Sequence, residues 1–280
     1  MNIQVSPYTL FICLVLLLAG CSNDDDIPGG IEPTEHILKA FQAQYPHGKN
    51  ARWKISNDFY VVEFQNPLVD TKAWFTETGI WMMDETDLPL AEIPQAVKEA
   101  IRQSEYVSWT IDEAAILHRA GMAFIYKIEV KNEKQERILY YSSCGNLIRT
   151  VEDTKNYEEE PIFIPEQVTN LMATTFPNTA LLYMETDANG SILYLLDGTT
   201  YKIARLNSEY YWQNTTWEVT EKEVPALILE KFDTSEYGND PVRSIWIWID
   251  SEGEFYLFQI TRNDRPATVK LDVFGNIVPA

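Results

Sequence analysis

Residues 93–153 read IPQAVKEAIRQSEYVSWTIDEAAILHRAGMAFIYKIEVKNEKQERILYYSSCGNLIRTVED, and this stretch holds one complete structural unit. After Pro94 the apolar residues fall on one face of a 3.6-residue period, at Val97, Ala100 and Ile101. The run 124–130 then alternates with a period of two, which is typical of a half-buried strand. Gly145 and Asn146 form the last turn. The stretch therefore predicts one helix followed by an antiparallel meander.

The same unit recurs along the chain. Its opening is repeated at Pro33, Pro94, Pro165 and Pro225. In the third unit, Asn189-Gly190 lies between two apolar runs and is a strong hairpin signal, because both residues accept a positive φ. The chain therefore contains four such units, arranged as two similar halves. The sequence predicts an α+β fold, built from tandem repeats of a helix packed on an antiparallel β-meander.

An acidic stretch separates the two halves. Residues 153–161 show no apolar period and carry a run of like charge. We therefore expect a first domain over residues 33–153, a linker over 154–160 and a second domain over 161–280. The charge run favours a solvated linker over a cation site.

The N-terminus predicts export and lipid attachment. Residues 1–20 contain no charged side chain and carry an apolar run, Leu10–Ala19, too short to span a membrane. The sequence Leu18-Ala19-Gly20-Cys21 resembles the bacterial lipobox. We expect residues 1–20 to be a lipoprotein signal peptide, Cys21 to carry the lipid, and residues 21–32 to be an acidic, Gly/Pro-containing tether. The protein would then be lipid-anchored to an outer membrane, on the periplasmic side or at the cell surface.

The tether leaves that choice open. Asp24–Asp26 follow the predicted lipidated cysteine closely. An acidic stretch in this place resembles a surface-export tag of some Gram-negative groups, and it is equally consistent with an ordinary polar tether.

Charge and cysteine content narrow the function classes. The formal net charge is −20, which argues against nucleic acid and anionic lipid surfaces as partners. The only membrane contact expected is the lipid anchor. Of three cysteines, Cys144 alone remains in the folded part, so no intramolecular disulfide is possible there. A half-buried thiol in a turn is favoured over a reactive one.

The sequence shows no recognisable catalytic site. The histidines His36, His47 and His118 have no partner at a metal-ligand spacing, and no nucleophile elbow, P-loop or dinucleotide motif is present. Two carboxylate groups, at residues 84–87 and 250–254, lack the ligand spacing of a calcium loop and indicate turns. We therefore expect no catalytic residues, no metal, no cofactor and no enzyme activity.

One strand pair concentrates aromatic residues on a single face. Ile245, Ile247 and Ile249 alternate with two tryptophans. Pairing through the turn at residues 252–253 would place four large apolar side chains together on the opposite face: Trp246, Trp248, Phe255 and Leu257. Internal packing against the other half is favoured over a binding surface, because a strand that is apolar on both faces usually lies in a buried position.

Several motifs resemble the PepSY-like family of bacterial lipoproteins, also described as beta-lactamase-inhibitor-like. They are Phe41-x-x-x-Tyr45-Pro46, Trp53, Tyr60-x-Val62-x-Phe64, Trp74-Phe75-x-x-x-Gly79, Ile93-Pro94, Tyr106-x-x-Trp109 and Ile128-x-Val130. The resemblance covers residues 33–153 well and the second half more loosely. It implies a helix packed on an antiparallel sheet and a secreted binding or inhibitory role, and it carries over no catalytic residues.

These observations lead to one favoured function and two alternatives. The leading one is a membrane-anchored, non-enzymatic protein-binding or inhibitor-like lipoprotein. Its unknown protein partner would be basic, or an envelope or secreted enzyme, because the chain is strongly acidic. A glycan-binding accessory lipoprotein and a structural envelope spacer are the alternatives. We also expect Trp53 and Trp109, which follow their helices at matching places, to lie in helix–sheet cores.

Overall fold

A computed structural model of the protein describes residues 31–154 and 157–279. This part of the chain contains two antiparallel sheets, each of eight strands, and four α-helices, two of which pack on each sheet. In both sheets every strand pairs with the strand next to it in the sequence. The predicted α+β fold of tandem helix-plus-meander units is confirmed. None of the helices within these ranges has both the length and the apolar character needed to cross a membrane.

The first sheet is formed by residues 49–152. Its elements in chain order are α1 (Glu35–Gln44), β1 (Lys49–Ser56), β2 (Phe59–Asn66), β3 (Val69–Phe75), β4 (Trp81–Asp87), α2 (Gln95–Arg102), β5 (Thr110–Arg119), β6 (Ile125–Lys131), β7 (Glu136–Tyr141) and β8 (Leu147–Glu152).

The second sheet repeats this order. Its elements are α3 (Glu166–Thr175), β9 (Ala180–Asp187), β10 (Gly190–Asp197), β11 (Thr200–Asn207), β12 (Trp212–Val219), α4 (Ala226–Asp233), β13 (Val242–Asp250), β14 (Gly253–Arg262), β15 (Arg265–Asp272) and β16 (Ile277–Val278). The change of sheet falls between β8 and β9. Whether residues 33–153 and 161–280 are separate domains stays a prediction.

A repeated closing turn shows how closely the four units match. In each, the residue that begins the turn donates its N–H to the carbonyl four residues on, as in Thr76 to Ile80 at 2.9 Å and Ser142 to Asn146 at 2.9 Å. The fourth residue has a positive φ in all four turns: Gly79, Gly145, Tyr210 and Gly275. The third unit thus keeps the turn without the glycine, and Tyr210 adopts φ 64° in its place.

Helix starts follow the repeated prolines. Pro94, Pro165 and Pro225 each occupy the position before the first helical residue of α2, α3 and α4. Thr34 has this place in α1, but its side chain makes no capping bond to the backbone and pairs instead with His36 Nδ1 at 2.9 Å.

The helices pack on one face of each sheet. Ile37 and Phe41 of α1 and Val97 and Ile101 of α2 are buried on the first sheet. In the second sheet, α3 packs over β9–β11 and α4 packs over β13–β15. Burial of these apolar faces, rather than capping bonds, holds the helices in place.

Residues 84–87 are a strand and not the predicted turn. They form the second half of β4 and pair with β3 on one side and β5 on the other. Carboxylates are poor strand formers, yet two neighbouring strands fix the backbone here. The other carboxylate group is a turn as predicted, between β13 and β14.

Cys144 is exposed, so the expectation of a half-buried thiol is wrong. Gly145, beside it, is fixed by a close approach of the turn to the Ala96 carbonyl of α2. The three histidines are surface residues.

Candidate binding surface

Each sheet has one face that carries helices and one that carries none, which we call the open face. The open face of the first sheet contributes buried apolar residues to a cluster shared with Leu182 and Tyr183 of β9. Its members from the first sheet include Val61, Trp74, Met83, Leu117, Ile125, Ile138 and Tyr140. The start of the second half therefore covers the apolar part of the first sheet's open face.

The acidic segment between the halves contains a buried ion pair. Glu159 is 5% exposed and Arg119, at the end of β5, is 3% exposed. Arg119 donates to Glu159 Oε2 at 2.7 Å, and the hydroxyls of Tyr140 and Tyr157 donate to Oε1. The expectation of a solvated segment is wrong for Glu159, because its carboxylate is the counter-charge that a buried guanidinium needs.

The surroundings of Tyr140 keep its hydroxyl protonated. Burial, followed by the Glu159 carboxylate, raises the pKa of Tyr140 far above its usual range. Its phenol therefore stays protonated and continues to donate.

Glu158, the residue before Glu159, faces outward and accepts from Lys54 Nζ at 2.9 Å and Ser56 Oγ at 2.8 Å. The segment thus joins strands β1, β5 and β7 to the second half.

The predicted aromatic face exists on the open face of the second sheet. Trp246 pairs with Leu257 and Trp248 with Phe255 in the β13–β14 hairpin, as the sequence indicates. The isoleucines point the other way, because Ile245 and Ile247 pack with α4. Phe255 is buried, whereas both tryptophans and Leu257 are half-buried. The five core clusters of the described residues include none of the four side chains.

Polar partners fix the orientation of both indoles. Trp246 Nε1 donates to Ser244 Oγ at 3.0 Å, and Trp248 Nε1 donates to Asp250 Oδ2 at 2.7 Å. Burial opposes ionisation of Asp250, but the Trp248 bond and two backbone N–H groups outweigh it and lower its pKa. The carboxylate is therefore charged at neutral pH beside the ring.

A lysine completes this surface. Lys270 of β15 pairs with Leu257, and its ammonium lies 4.0 Å from the ring centre of Phe255 and 5.7 Å from that of Trp248. The sequence analysis did not single out this residue. Its place follows from the β14–β15 register, which a two-residue turn at Asn263 and Asp264, both with positive φ, sets.

A polar surface also lies on the first sheet, along strands β3 to β6. A cavity of about 460 Å³ there has six carboxylates in its lining: Asp70, Glu85, Asp87, Asp112, Glu113 and Glu129. Lys127 bonds Glu85 at 2.8 Å and Glu129 at 3.0 Å. Repulsion from Glu129, which is directly opposite, raises the pKa of Glu113. Within residues 31–154 and 157–279, no three His, Cys, Asp or Glu side chains are grouped to hold a metal ion.

Comparison with known protein families shows to which family this chain belongs. The beta-lactamase-inhibitor-like, PepSY-like family matches residues 58–149 and 206–278, which together are more than half of the chain. The chain belongs to the PepSY-like family. The resemblance carried by the aromatic and turn motifs is thereby confirmed. The matched segments of this PepSY-like protein include β13–β15, where the aromatic face lies.

Three solved structures are similar to this PepSY-like chain. A BLIP-like protein from Bacteroides fragilis is 26% identical, and the match covers 49% of this chain and 99% of that one, with a TM-score of 0.45. A DUF2874 family protein from Bacteroides uniformis is 26% identical, covering 44% and 92%, with a TM-score of 0.42. Another from Bacteroides ovatus is 23% identical, covering 45% and 94%, with a TM-score of 0.43. No curated protein matches the chain.

Two sequence predictions remain open after this description. Cys21, the predicted lipid attachment residue, lies outside the described residues. The binding role of Trp246, Trp248, Phe255 and Leu257, which the sequence analysis placed second to internal packing, stays a prediction as well.

Proposed function

We propose that this protein is a lipid-anchored, exported binding module that captures a protein partner and catalyses no reaction. The observation that carries the proposal is the open face of β13 and β14, where Trp246, Trp248 and Leu257 are half-buried. Half-buried tryptophans fixed by hydrogen bonds are typical anchors of protein interfaces, because they bury a large area at little entropic cost. The open face of the first sheet is partly covered by the second half and partly lined by carboxylates, so the indole face is the apolar candidate.

Charge supports a basic partner. The chain carries −20, and the acidic residues Glu218 and Asp250 lie on the same face as the indoles. Such a field attracts basic proteins over about a Debye length, ~8 Å at physiological salt. An envelope or secreted enzyme with a basic surface, inhibited by being covered, fits the inhibitor-like description of the family.

The geometry at Trp248 favours a protein over a glycan. A sugar-binding tryptophan needs a free ring face for stacking. Here the Lys270 ammonium lies over the Trp248 ring, 5.7 Å from its centre, and the indole N–H is used by Asp250. An apolar protein side chain can pack at the edge of such a ring without displacing either group. The glycan-binding and spacer functions are outcomes of the test below.

Changing both tryptophans should abolish capture of the partner. We expect wild-type protein to retain one specific band from an envelope extract, weakened by salt, and Trp246→Ala/Trp248→Ala to lose it, because hot-spot truncations cost ~2 kcal/mol or more. Pull-down followed by gel analysis measures this. Tyr211→Ala, which removes an aromatic ring that is 66% exposed on the same half, is the control.

The outcomes separate the alternatives. Matching melting curves for the double variant and wild type show that the double variant is folded. An identical band pattern for both proteins contradicts protein capture through this face. Retention on polysaccharide resin alone would transfer the proposal to the glycan-binding alternative, and retention on neither would favour a spacer.

Anchoring through Cys21 has a separate test. Metabolic labelling with palmitate should mark the wild-type protein, and Cys21→Ala should remain unlabelled, because the lipobox cysteine supplies the acylated sulfur and nitrogen. Cys144→Ala, which removes the other cysteine of the exported chain, should label normally. Equal labelling of wild type and Cys21→Ala would overturn the lipobox interpretation.

A further inference from the structure

Among the residues that the structure describes, the first strand of the second sheet has one unpaired edge. Within these residues β9 pairs only with β10, through a register in which Asp187 lies opposite Gly190 across a two-residue turn. The residues that close such a turn point their N–H and C=O groups toward each other, and the direction alternates along the strand. The backbone groups of Met184 and Thr186 therefore point away from β10, toward the free edge.

This edge borders a cavity of about 580 Å³. At its inner end, the edge is closed by one bond from the Ala123 N–H to the Leu181 carbonyl, 2.8 Å long. Among the backbone bonds between described residues outside regular helices and strands, none involves Met184 or Thr186. Ile162 and Arg149 also line the cavity. The cavity thus combines a free strand edge with an apolar and a cationic side chain.

Two carboxylates and two arginines line this cavity, and they differ in how far their hydrogen-bonding groups are already used. Glu185 already accepts from the Tyr194 hydroxyl at 3.0 Å, and Asp187 accepts the backbone N–H of Asn189 at 2.7 Å. Arg149 and Arg205 line the same cavity, and within the described residues neither forms an ion pair with a carboxylate. In a chain with a net charge of −20, arginines without a carboxylate partner are unexpected.

Arg149 is held in place by aromatic contacts. It donates to the Tyr183 hydroxyl, and its guanidinium carbon lies 5.3 Å from the ring centre of Tyr183 and 5.8 Å from that of Tyr140. A guanidinium held against aromatic rings loses less side-chain entropy when it binds a carboxylate, and it can form two parallel hydrogen bonds. The geometry is therefore suited to recognising an anionic group beside the strand edge.

We propose that the free edge of β9 binds an extended peptide, whose carboxylate pairs with Arg149. The peptide would add a strand to the second sheet through the N–H and C=O groups of Met184 and Thr186. The carboxylate can come from an acidic side chain or from the peptide C-terminus. This site is separate from the Trp246 and Trp248 face, and it stands whether or not that face binds a partner.

The probes are three pools of fluorescein-labelled hexapeptides with Val, Ile or Thr at alternate positions. One pool has a fixed glutamate and an amidated C-terminus, one has glutamine and a free carboxylate, and one has glutamine and an amide. We expect at least one anionic pool to bind about tenfold or more tightly than the neutral pool, since a charge-assisted bond supplies such a factor. The pool that binds identifies the source of the carboxylate.

Hydrogen exchange locates the bound peptide. Thr186 is exposed, and its outward amide should exchange about tenfold more slowly with a bound pool. Arg149→Gln should remove the preference for the anionic pools, whereas Arg243→Gln, an equal charge change at an exposed residue of β13, should leave it. Thr186→Pro removes the outward N–H without breaking the hydrogen bonds between β9 and β10. It should weaken the binding of every peptide pool.

Several results would overturn the proposal. These are the absence of Thr186 protection with every pool, equal loss of affinity in the Arg149 and Arg243 variants, and unchanged binding by folded Thr186→Pro. If Thr186→Pro fails to fold, the proposal is still tested by the hydrogen-exchange measurement on the wild-type protein and by the comparison of Arg149→Gln with Arg243→Gln. Trp246→Ala/Trp248→Ala should bind the pools normally, which separates this result from the test of the open face.

Discussion

Replacing Glu159 by alanine is expected to lower the free energy of unfolding by ~3–5 kcal/mol. The side chains of Arg119 and Glu159 are 3% and 2% exposed, so the substitution leaves a guanidinium buried without its counter-charge. It also removes the acceptor of the Tyr140 hydroxyl. Chemical denaturation of the purified protein, followed by tryptophan fluorescence, measures the loss.

Glu158→Ala is the matched control. Glu158 is the preceding residue, and its bond to Lys54 joins two side chains that are 42% and 39% exposed. Such surface pairs contribute ~0–1 kcal/mol. A second comparison replaces both buried partners, as Arg119→Met/Glu159→Leu, and should recover much of the stability because no charge remains buried. Equal losses for Glu158→Ala and Glu159→Ala would contradict a special role of the buried pair.

The buried pair also bears on where a partner can bind. It fixes the segment that leads into the second half, and that half covers the apolar open face of the first sheet. A variant that loosens this segment should therefore expose Trp74 and Tyr140, which are 2% and 1% exposed in the native protein. In the proposed function, the apolar centre of the first sheet's open face is therefore closed to a partner as long as the ion pair is intact.

The repeated pattern of the fold could be predicted from local sequence. Apolar positions at helical spacing, alternation in the strands and turn residues such as Gly145 and Gly275 act over a few residues, so they are visible in the sequence. The register of the β13–β14 hairpin follows from the same local rules. This is why the common face of Trp246 and Trp248 is found in the structure as predicted.

The features that were missed depend on distant residues. Glu159 is buried because Arg119 and Tyr140, 40 and 19 residues away in sequence, need its carboxylate. Residues 84–87 are a strand because β3 and β5 flank them. Lys270 reaches Trp248 across two strand pairings. In each case the deciding contact is tertiary, and the local composition points the other way or is neutral.

Trp53→Ala is expected to lower the free energy of unfolding by ~3–5 kcal/mol, the usual cost of truncating a buried tryptophan. Trp53 is 8% exposed and packs edge-on against Phe41 of α1, with ring centres 5.5 Å apart, and against Phe75 at 6.2 Å. The substitution leaves a cavity between α1 and the first sheet. Because a typical domain is stable by only ~5–15 kcal/mol, soluble yield should fall together with the melting temperature.

Trp109→Ala is the comparison that tests the repeat alignment. The sequence places Trp109 at the equivalent position, but the structure has it half-buried, in the turn before β5, where it packs edge-on against Tyr106 with ring centres 5.2 Å apart. Trp109 packs against the core between α2 and the first sheet, as expected, but it is only partly buried there. We therefore expect a smaller loss of stability than for Trp53→Ala. Thermal melts of the two variants in parallel check the order, and a Trp53→Ala protein that melts like wild type would refute the helix–sheet core assigned to α1.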